Sequence, residues 1–204
     1  MIEFYTAPTS NGHRVAIMLE ECAIPYRLHR IDLAKGDQQS TEYLQVNPAG
    51  LIPAILDPEG PGGQPFALSQ SGAILLYLAE KSGRFLPVDE HRRAVAYQWL
   101  MQALSDVACT SGTMFYVSSA VPDKSDANVA FFEQRLVRFL RHADAQLADR
   151  EFLAGELSVA DFALYPVCAV RKSVIERAGD LPNLTRWRDA LAQRPAVTRA
   201  MQSA

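Results

Sequence analysis

Three polar residues before a predicted helix are the first candidates for chemistry in this 204-residue chain. Thr9, Ser10 and Asn11 stand between a short apolar strand and an amphipathic helix in "FYTAPTSNGHRVAIMLEE", residues 4–21. The first N–H groups of a helix have no partner within it, and the helix dipole places partial positive charge there. The loop is therefore predicted to bind a negatively charged group. Capping of the helix by Ser10 or Asn11, with a turn at Asn11-Gly12, would account for the same residues.

A second helix start offers similar groups in "LSQSGAILLYLAEK", residues 68–81. Gln70 supplies a side-chain amide, Ser71 supplies a hydroxyl, and the helix supplies free backbone N–H groups. This combination is a good receptor for a carboxylate. Capping alone would again explain Ser71.

A proline opens the apolar strand of "NPAGLIPAILD", residues 47–57. Pro53 has no N–H for a strand ladder, and only about 5–6% of X–Pro bonds are cis, so statistics alone favour a trans bond. A cis Ile52–Pro53 bond would instead direct the Ile52 backbone groups into a cleft, where they can pair with an extended peptide. Together the three sites predict one ligand, a short acidic peptide with a sulfur or another anion-forming group near Ser10.

The elements that must position these residues form an α/β layer over residues 1–81. Apolar residues at i, i+3, i+4 and i+7 predict a helix from Gly12 to Ala23, and the pattern at 71–81 predicts another. The predicted strands are Ile2–Tyr5, Tyr26–Leu33, Ile52–Leu56 and Phe66–Leu68. The resulting order, β-α-β followed by a crossover and β-β-α, is typical of a small α/β fold.

The second half is predicted to be an all-helical domain, residues 91–204, after a linker at 82–90. The predicted helices are His91–Val117, in which Gly112 is expected to bend or end the helix, Asn128–Leu147, one opening at Ser158, Asn183–Gln193, and Ala196–Met201 beyond Pro195. Ser158 and Asp161 have the spacing of an acidic capping box, which indicates a structural role.

Composition excludes several classes of function. The net charge of −3 lacks the basic surface that general nucleic-acid binding requires, and no apolar run approaches the roughly 18 residues of a membrane span. The N-terminus lacks the pattern of a signal peptide. Three dispersed cysteines and four histidines show no metal-site spacing, so we expect no metal and a reducing, cytoplasmic location.

Five segments in order give the chain a resemblance to the cytosolic glutathione transferases over nearly its whole length. They are "APTSNGHRVAIMLEE", "NPAGLIPAILD", "LSQSGAILLYLAEK", "FLAGELSVADFALYP" and "LPNLTRWRDALAQRPAV". The resemblance implies a thioredoxin-like N-terminal domain, an all-helical C-terminal domain and a homodimer. It also implies that glutathione binds to the first domain as co-substrate and an electrophile binds mainly to the second.

The resemblance also assigns roles to residues. Ile52 precedes the family's cis-proline, here Pro53, and would pair with the cysteinyl backbone of glutathione. Gln70 and Ser71 match the pair that holds the γ-glutamyl group, and Gln38 is a further glutathione-binding position.

The donor to the sulfur stays open among Thr9, Ser10 and Asn11. The Thr-x-Asn spacing resembles bacterial members of the nu type, some of which are glutathione-dependent disulfide reductases, whereas Ser10 resembles the serine type. Tyr5 resembles the tyrosine type but lies inside the first strand.

The energy needed at this loop is small. A thiol of pKa about 8.5 is roughly 3% ionised at pH 7, and lowering the pKa by about two units requires roughly 2.7 kcal/mol. One hydrogen bond to a charged acceptor contributes about 1.5–3 kcal/mol and a helix N-terminus about 0.3–1 kcal/mol. One donor and the helix end are therefore sufficient, and no protein cysteine is needed.

The leading hypothesis is conjugation of glutathione to an apolar electrophile. The alternatives are a glutathione-dependent disulfide reductase or peroxidase, acting on a small disulfide, and a binding module without catalysis. Asp106 is a candidate contact for the γ-glutamyl ammonium. The candidates for the electrophile site lie on the first long helix and are Met101, Leu104, Cys109, Met114, Phe115 and Tyr116.

Overall fold

The computed structural model describes residues 1–203, and the chain divides into two compact units. Met1–Arg84 forms the first unit together with the segment that starts at Gln193, and Phe85–Ala192 forms the second. The predicted fold class, a thioredoxin-like domain followed by helices, is confirmed. The predicted domain limits at 81 and 90 stay a prediction.

A four-stranded mixed sheet organises the first unit. The strands are β1 (Ile2–Thr6), β2 (Tyr26–Arg30), β3 (Ala54–Asp57) and β4 (Phe66–Ser69), in the order β2-β1-β3-β4. β1 runs parallel to β2 and antiparallel to β3, and β3 runs antiparallel to β4. Alternate residues of β1 face opposite sides, which leaves Phe4 fully buried and Tyr5 half-buried on the other face.

Two strands are shorter or shifted relative to the prediction. β2 ends at Arg30 and not at Leu33, because its partner β1 ends at Thr6, which pairs with Arg30. β3 starts at Ala54 and not at Ile52, since Pro53 has no N–H to contribute to the ladder.

Within Met1–Arg84, three helices accompany the strands: α1 (Ser10–Cys22), α2 (Thr41–Val46) and α3 (Ser71–Ser82). α1 packs against α3, while α2 lies on the sheet face that carries Tyr5, whose ring contacts Tyr43 of α2. Gly12 lets α1 start close to the end of β1, because a Cβ there would collide with the Thr6 hydroxyl and the Ala7 carbonyl.

The last helix returns to the first unit. α10 (Pro195–Ser203) packs along α1. Arg194 forms a two-pronged ion pair with the buried Glu21 at 2.6 and 2.8 Å, and Arg199 pairs with Glu20 at 2.7 Å. The carboxyl half of α1 is therefore held by residues far away in the sequence.

The second unit is helical, with α4 (Glu90–Met101), α5 (Cys109–Phe115), α6 (Asp126–Gln146), α7 (Val159–Val170), α8 (Lys172–Ala178) and α9 (Pro182–Ala192). α8 was not predicted from the sequence. Its clearest sequence signal is Gly179, since glycine commonly follows the last residue of a helix, and Gly179 does so here with φ 72°. Pro182 and Pro195 are the first residues of α9 and α10 and do not lie outside these helices, because the first helical position needs no N–H. None of the helices over residues 1–203 has both the length and the apolar character needed to cross a bilayer.

The predicted helix His91–Val117 runs from Glu90 to Ala120 and is wider in two places. Gly112 does not bend it; π-helical stretches instead join α4 to α5 over Gln102–Ala108 and extend α5 over Tyr116–Ala120. Side chains along it bond to backbone carbonyls of the preceding turn, as Ser105 does at 2.8 Å and Thr113 at 2.9 Å.

The predicted capping box at the start of α7 is present and completely buried. Asp161 accepts two hydrogen bonds from Ser158, one from the Leu153 N–H at 3.1 Å and one from the Trp187 indole at 2.9 Å. Burial raises the pKa of Asp161 to about 6, so at pH 7 these four donors face a carboxylate. The side chain fastens α7 to the preceding loop and to α9.

Replacement of Asp161 by alanine is expected to lower the free energy of unfolding of this unit by about 3 kcal/mol or more, because each buried donor left unpaired costs roughly 1–3 kcal/mol. Asp161→Asn keeps one acceptor and should lie between alanine and the wild type. Both tryptophans, Trp99 and Trp187, lie in this unit, so urea unfolding followed by tryptophan fluorescence measures it directly. The exposed Asp123→Ala is the control, expected within about 0.5 kcal/mol of wild type. Equal effects of the Asp161 and Asp123 changes would disprove the role of the box.

Two helical glycines should respond in opposite directions to alanine. Gly12→Ala should destabilise by about 1–3 kcal/mol, since the new methyl group meets backbone and Thr6. Gly112→Ala should stabilise by about 0.5–1 kcal/mol, because no atom lies within 4 Å of the added Cβ and alanine favours a helix. Thermal unfolding followed by circular dichroism distinguishes the two, and a stabilising Gly12→Ala would contradict the close approach of α1 to β1.

Candidate functional site

The strand register brings the three predicted sites to one edge of the sheet. Tyr5 pairs with Ala54, and Ala54 pairs with Ser69. The loop after β1, the residues before β3 and the residues after β4 therefore leave the sheet side by side. The candidate site lies at this edge, between the N-termini of α1 and α3.

Thr9, and neither Ser10 nor Asn11, caps α1. The Thr9 hydroxyl oxygen accepts from the Gly12 N–H at 3.1 Å, which leaves the hydroxyl hydrogen for another acceptor. Ser10 is the first residue of the helix, half-buried, and its hydroxyl makes no hydrogen bond to the described residues. The structure thus orients the Thr9 hydroxyl and leaves that of Ser10 free to rotate.

Arg14 joins the two helix N-termini. It lies on α1, is 1% exposed, and its Nη1 donates both to the Asn11 carboxamide oxygen and, at 3.3 Å, to the Ser71 hydroxyl. Sequence analysis overlooked Arg14. The signal was available, because Arg14 precedes Met18 by four residues and so lies on the apolar face of an amphipathic helix.

This guanidinium sets the hydrogen-bonding direction of both partners. Arginine has donors and no acceptor, so Asn11 and Ser71 must present their oxygens to it. The amide hydrogens of Asn11 and the hydroxyl hydrogen of Ser71 then remain for other acceptors. Both side chains become donors toward the site, as an anion requires.

Ser71 does not cap α3, contrary to the simpler interpretation. It is the first helical residue, 7% exposed, and is held by Arg14. Gln70 occupies the cap position without a side-chain capping bond, and it has φ 71° and ψ 113°. A positive φ at glutamine costs on the order of 1–3 kcal/mol, a strain that occurs most often at functional sites.

The Ile52–Pro53 bond is cis. The preceding carbonyl, of Leu51, accepts from the Tyr43 hydroxyl at 2.6 Å and from the Asn47 amide at 2.5 Å. No residue within 1–203 bonds to the backbone N–H or C=O of Ile52 itself. The loop is thus fixed by its neighbours while the Ile52 peptide groups stay available.

Gln38 lies in the loop between β2 and α2. Its Oε1 is buried and has no hydrogen-bond partner among residues 1–203. The adjacent Gln39 donates to the Gly50 carbonyl at 3.2 Å and so ties this loop to the segment before Pro53. An acceptor buried without a partner is uncommon and can be satisfied by a donor on a ligand.

Two other reactive groups of this unit do not belong to the site. Burial, and next the charge of Glu3, raises the pKa of Tyr5, whose ring stacks on His29 at 4.5 Å between ring centroids. A tyrosine that stabilises an anion by donating its hydroxyl hydrogen needs surroundings that lower its pKa. Cys22 ends α1, about 18 Å from Ser10 at 1.5 Å per residue, and burial raises its pKa.

The electrophile candidates of the second unit differ in exposure. Met101, Cys109, Phe115 and Tyr116 are exposed, Met114 is buried, and Leu104 is half-buried. Asp106, the candidate contact for the γ-glutamyl ammonium, is also half-buried. Met114 therefore belongs to the helical core. Over the described residues there is no cluster of three His, Cys, Asp or Glu side chains able to hold a metal.

Comparisons with known proteins identify the family to which this fold belongs. The family models "Glutathione S-transferase, N-terminal domain" and "Glutathione S-transferase, C-terminal domain" match residues 10–81 and 105–204. The disulfide-bond oxidoreductase YfcG of Escherichia coli is 36% identical, over 100% of this chain and 96% of its own.

Two solved structures share the fold over both units. A glutathione transferase family member from Pseudomonas fluorescens, with two glutathione molecules bound, has a TM-score of 0.92 and 36% identity, covering 100% of this chain and 93% of its own. A glutathione transferase from Pseudomonas putida, with one glutathione disulfide per subunit, has a TM-score of 0.92 and 33% identity, covering 98% and 90%. This chain therefore belongs to the glutathione S-transferase family.

Proposed function

We propose that this chain is a glutathione transferase that binds glutathione at the sheet edge of its first unit and ionises the thiol there for conjugation to an apolar electrophile. The observation that carries the proposal is the orientation imposed by Arg14, which turns Asn11 and Ser71 into donors at two helix N-termini. These termini suit two of the three negative groups of ionised glutathione, its thiolate and its γ-glutamyl carboxylate.

The remaining contacts follow the ligand from one end to the other. Ser71 and Gln70 receive the γ-glutamyl group, the free peptide groups of Ile52 pair with the cysteinyl backbone, and Pro53 holds that segment in place. The buried Gln38 oxygen accepts from a donor nearer the glycyl end. The roles of Gln38, Ile52 and Ser71 are each supported by a polar group that residues 1–203 leave without a partner or orient outward.

Thr9 and Asn11 are the proposed donors to the sulfur, in preference to Ser10. Both have their oxygens occupied by protein donors, Gly12 for Thr9 and Arg14 for Asn11. Their hydrogens are therefore directed away from the protein, whereas the Ser10 hydroxyl is not directed.

A second reaction, reduction of small disulfides, is favoured by a specific observation. YfcG is named a disulfide-bond oxidoreductase, and the two solved relatives hold two glutathione molecules or one glutathione disulfide. In this reaction one glutathione thiolate attacks the disulfide, releasing one thiolate and forming a mixed disulfide. A second glutathione then displaces the other thiolate and leaves as glutathione disulfide. Cys22, near the far end of α1, takes no part.

We further propose that the chain acts in the cytoplasm as a homodimer, as members of this family do. The proposal is compatible with a net charge of −3 and with the three free cysteines.

Removal of either sulfur donor should raise the pKa of bound glutathione. Thr9→Ala and Asn11→Ala are each expected to raise it by about one unit, since a charge-assisted hydrogen bond contributes roughly 1.5–3 kcal/mol and water replaces part of it. Thr9→Ser keeps the hydroxyl and the cap and should stay close to wild type. The ultraviolet absorbance of the thiolate, titrated with pH at saturating glutathione, measures this. If Ser10→Ala alone raises the pKa, Ser10 is the donor.

Both reactions should depend on the same thiolate. We expect wild type to conjugate an aryl halide and to reduce a small dialkyl disulfide. Asn11→Ala should lower both values of kcat/KM by the same factor, about tenfold for one pKa unit at a pH below the pKa of the thiol bound to wild type. Steady-state assays give kcat/KM for each of the two substrates, and the ratio of these two values shows which reaction is the principal one. Glutathione binding without either activity would identify a binding module and sink the enzymatic proposal.

A further inference from the structure

Arg14 connects two parts of the site that stand on different helices. Asn11 is the second residue of α1 and Ser71 the first residue of α3, and no direct hydrogen bond joins their side chains. The same terminal nitrogen of Arg14, Nη1, donates to both. Since Nη1 carries two hydrogens, each partner engages one of them.

We propose that Arg14 is a positioning residue that couples the carboxylate-binding end of the site to the thiolate-binding end, so that ionisation of the bound thiol depends jointly on Asn11 and Ser71. The inference rests on the proposed function, in which the ligand is glutathione, and goes beyond it by making the two ends interdependent.

Orientation gives the first contribution to this coupling. The Asn11 side chain is exposed and could rotate to present either its oxygen or its amide hydrogens to the sulfur. The bond from Arg14 holds the oxygen inward, and the same buried Nη1 also donates to the Ser71 hydroxyl. A change at Ser71 is therefore transmitted to Asn11 through one guanidinium.

Charge gives the second contribution. Glutathione places a carboxylate near Ser71 and a thiolate near Asn11, and like charges repel more strongly where water is excluded. The buried Arg14 cation lies between the two helix starts and attracts both anions. Without this cation the bound carboxylate would raise the pKa of the thiol.

A double-mutant cycle tests the coupling. The variants are Asn11→Ala, Ser71→Ala and both together, and the measured quantity is the pKa of the bound thiol from its thiolate absorbance at saturating glutathione. Contacting residues show interaction energies of about 0.5–3 kcal/mol, so we expect the double variant to depart from the sum of the single variants by at least about half a pKa unit. Ser69→Ala, two residues before Ser71, is the control and should combine additively with Asn11→Ala. Additive shifts for Asn11 and Ser71 would overturn the inference.

The same cycle in an Arg14→Met background should show no departure from additivity. Arg14→Lys keeps the positive charge but loses the planar guanidinium, so the pKa of the bound thiol should lie between the values for wild type and Arg14→Met. Arg14→Gln lacks the charge as well and should resemble Arg14→Met. A purely structural Arg14 would weaken binding and lower thermal stability while leaving the pKa of the bound thiol unchanged, and that result also overturns the inference. If the Arg14 variants do not fold, the double-mutant cycle of Asn11→Ala and Ser71→Ala, with Arg14 unchanged, still tests the coupling.

The two proposals fail in different ways. If wild type gives no thiolate signal with glutathione, the proposed function is wrong. If the signal is present and the cycle is additive, glutathione is ionised at this site and only the coupling through Arg14 is wrong.

Discussion

The site depends on one constraint, that a guanidinium can donate hydrogen bonds but cannot accept them. Arg14 is buried at the junction of α1 and α3, and its neighbours must turn their oxygens toward it. The result is an edge of the sheet at which an amide and a hydroxyl offer hydrogens only. With the free N–H groups of two helices added, this edge favours negatively charged hydrogen-bond acceptors and disfavours groups that can only donate. The site selects anions because the oxygens of Asn11 and Ser71 are already bonded to Arg14, and no charged side chain has to contact the ligand.

The sheet provides the rigidity that such a site needs. Because Tyr5, Ala54 and Ser69 are aligned across three strands, small changes in the loops leave their starting points fixed. Gly12 allows α1 to begin directly beside β1. In the proposed function, conjugation and disulfide exchange both begin with the same glutathione thiolate, so the first unit serves either reaction. The choice between them belongs to the second substrate, which explains how relatives with one fold carry different names.

Local rules recovered most of the fold from the sequence. The capping box at Ser158 and Asp161 is a short-range pattern, and it was predicted correctly. If the loop only capped α1, Ser10 or Asn11 was expected to supply the acceptor, because several polar residues in a row fit the same rule and only the backbone angles select Thr9. Arg14 was overlooked because its role lies in a contact with a residue 57 positions away. Its place on the apolar face of α1 indicates a buried charge but does not identify the partner.

The return of α10 to α1 determines the order in which this protein can be completed during synthesis. Glu21 is buried against Arg194, so α1 acquires its last packing partner only after residues 85–192 have been translated. Domains generally fold as units during translation, N-terminal first. Here the helical unit is translated completely before α10, so the first unit, whose strands precede it in the sequence, receives its last helix only after the second unit is complete.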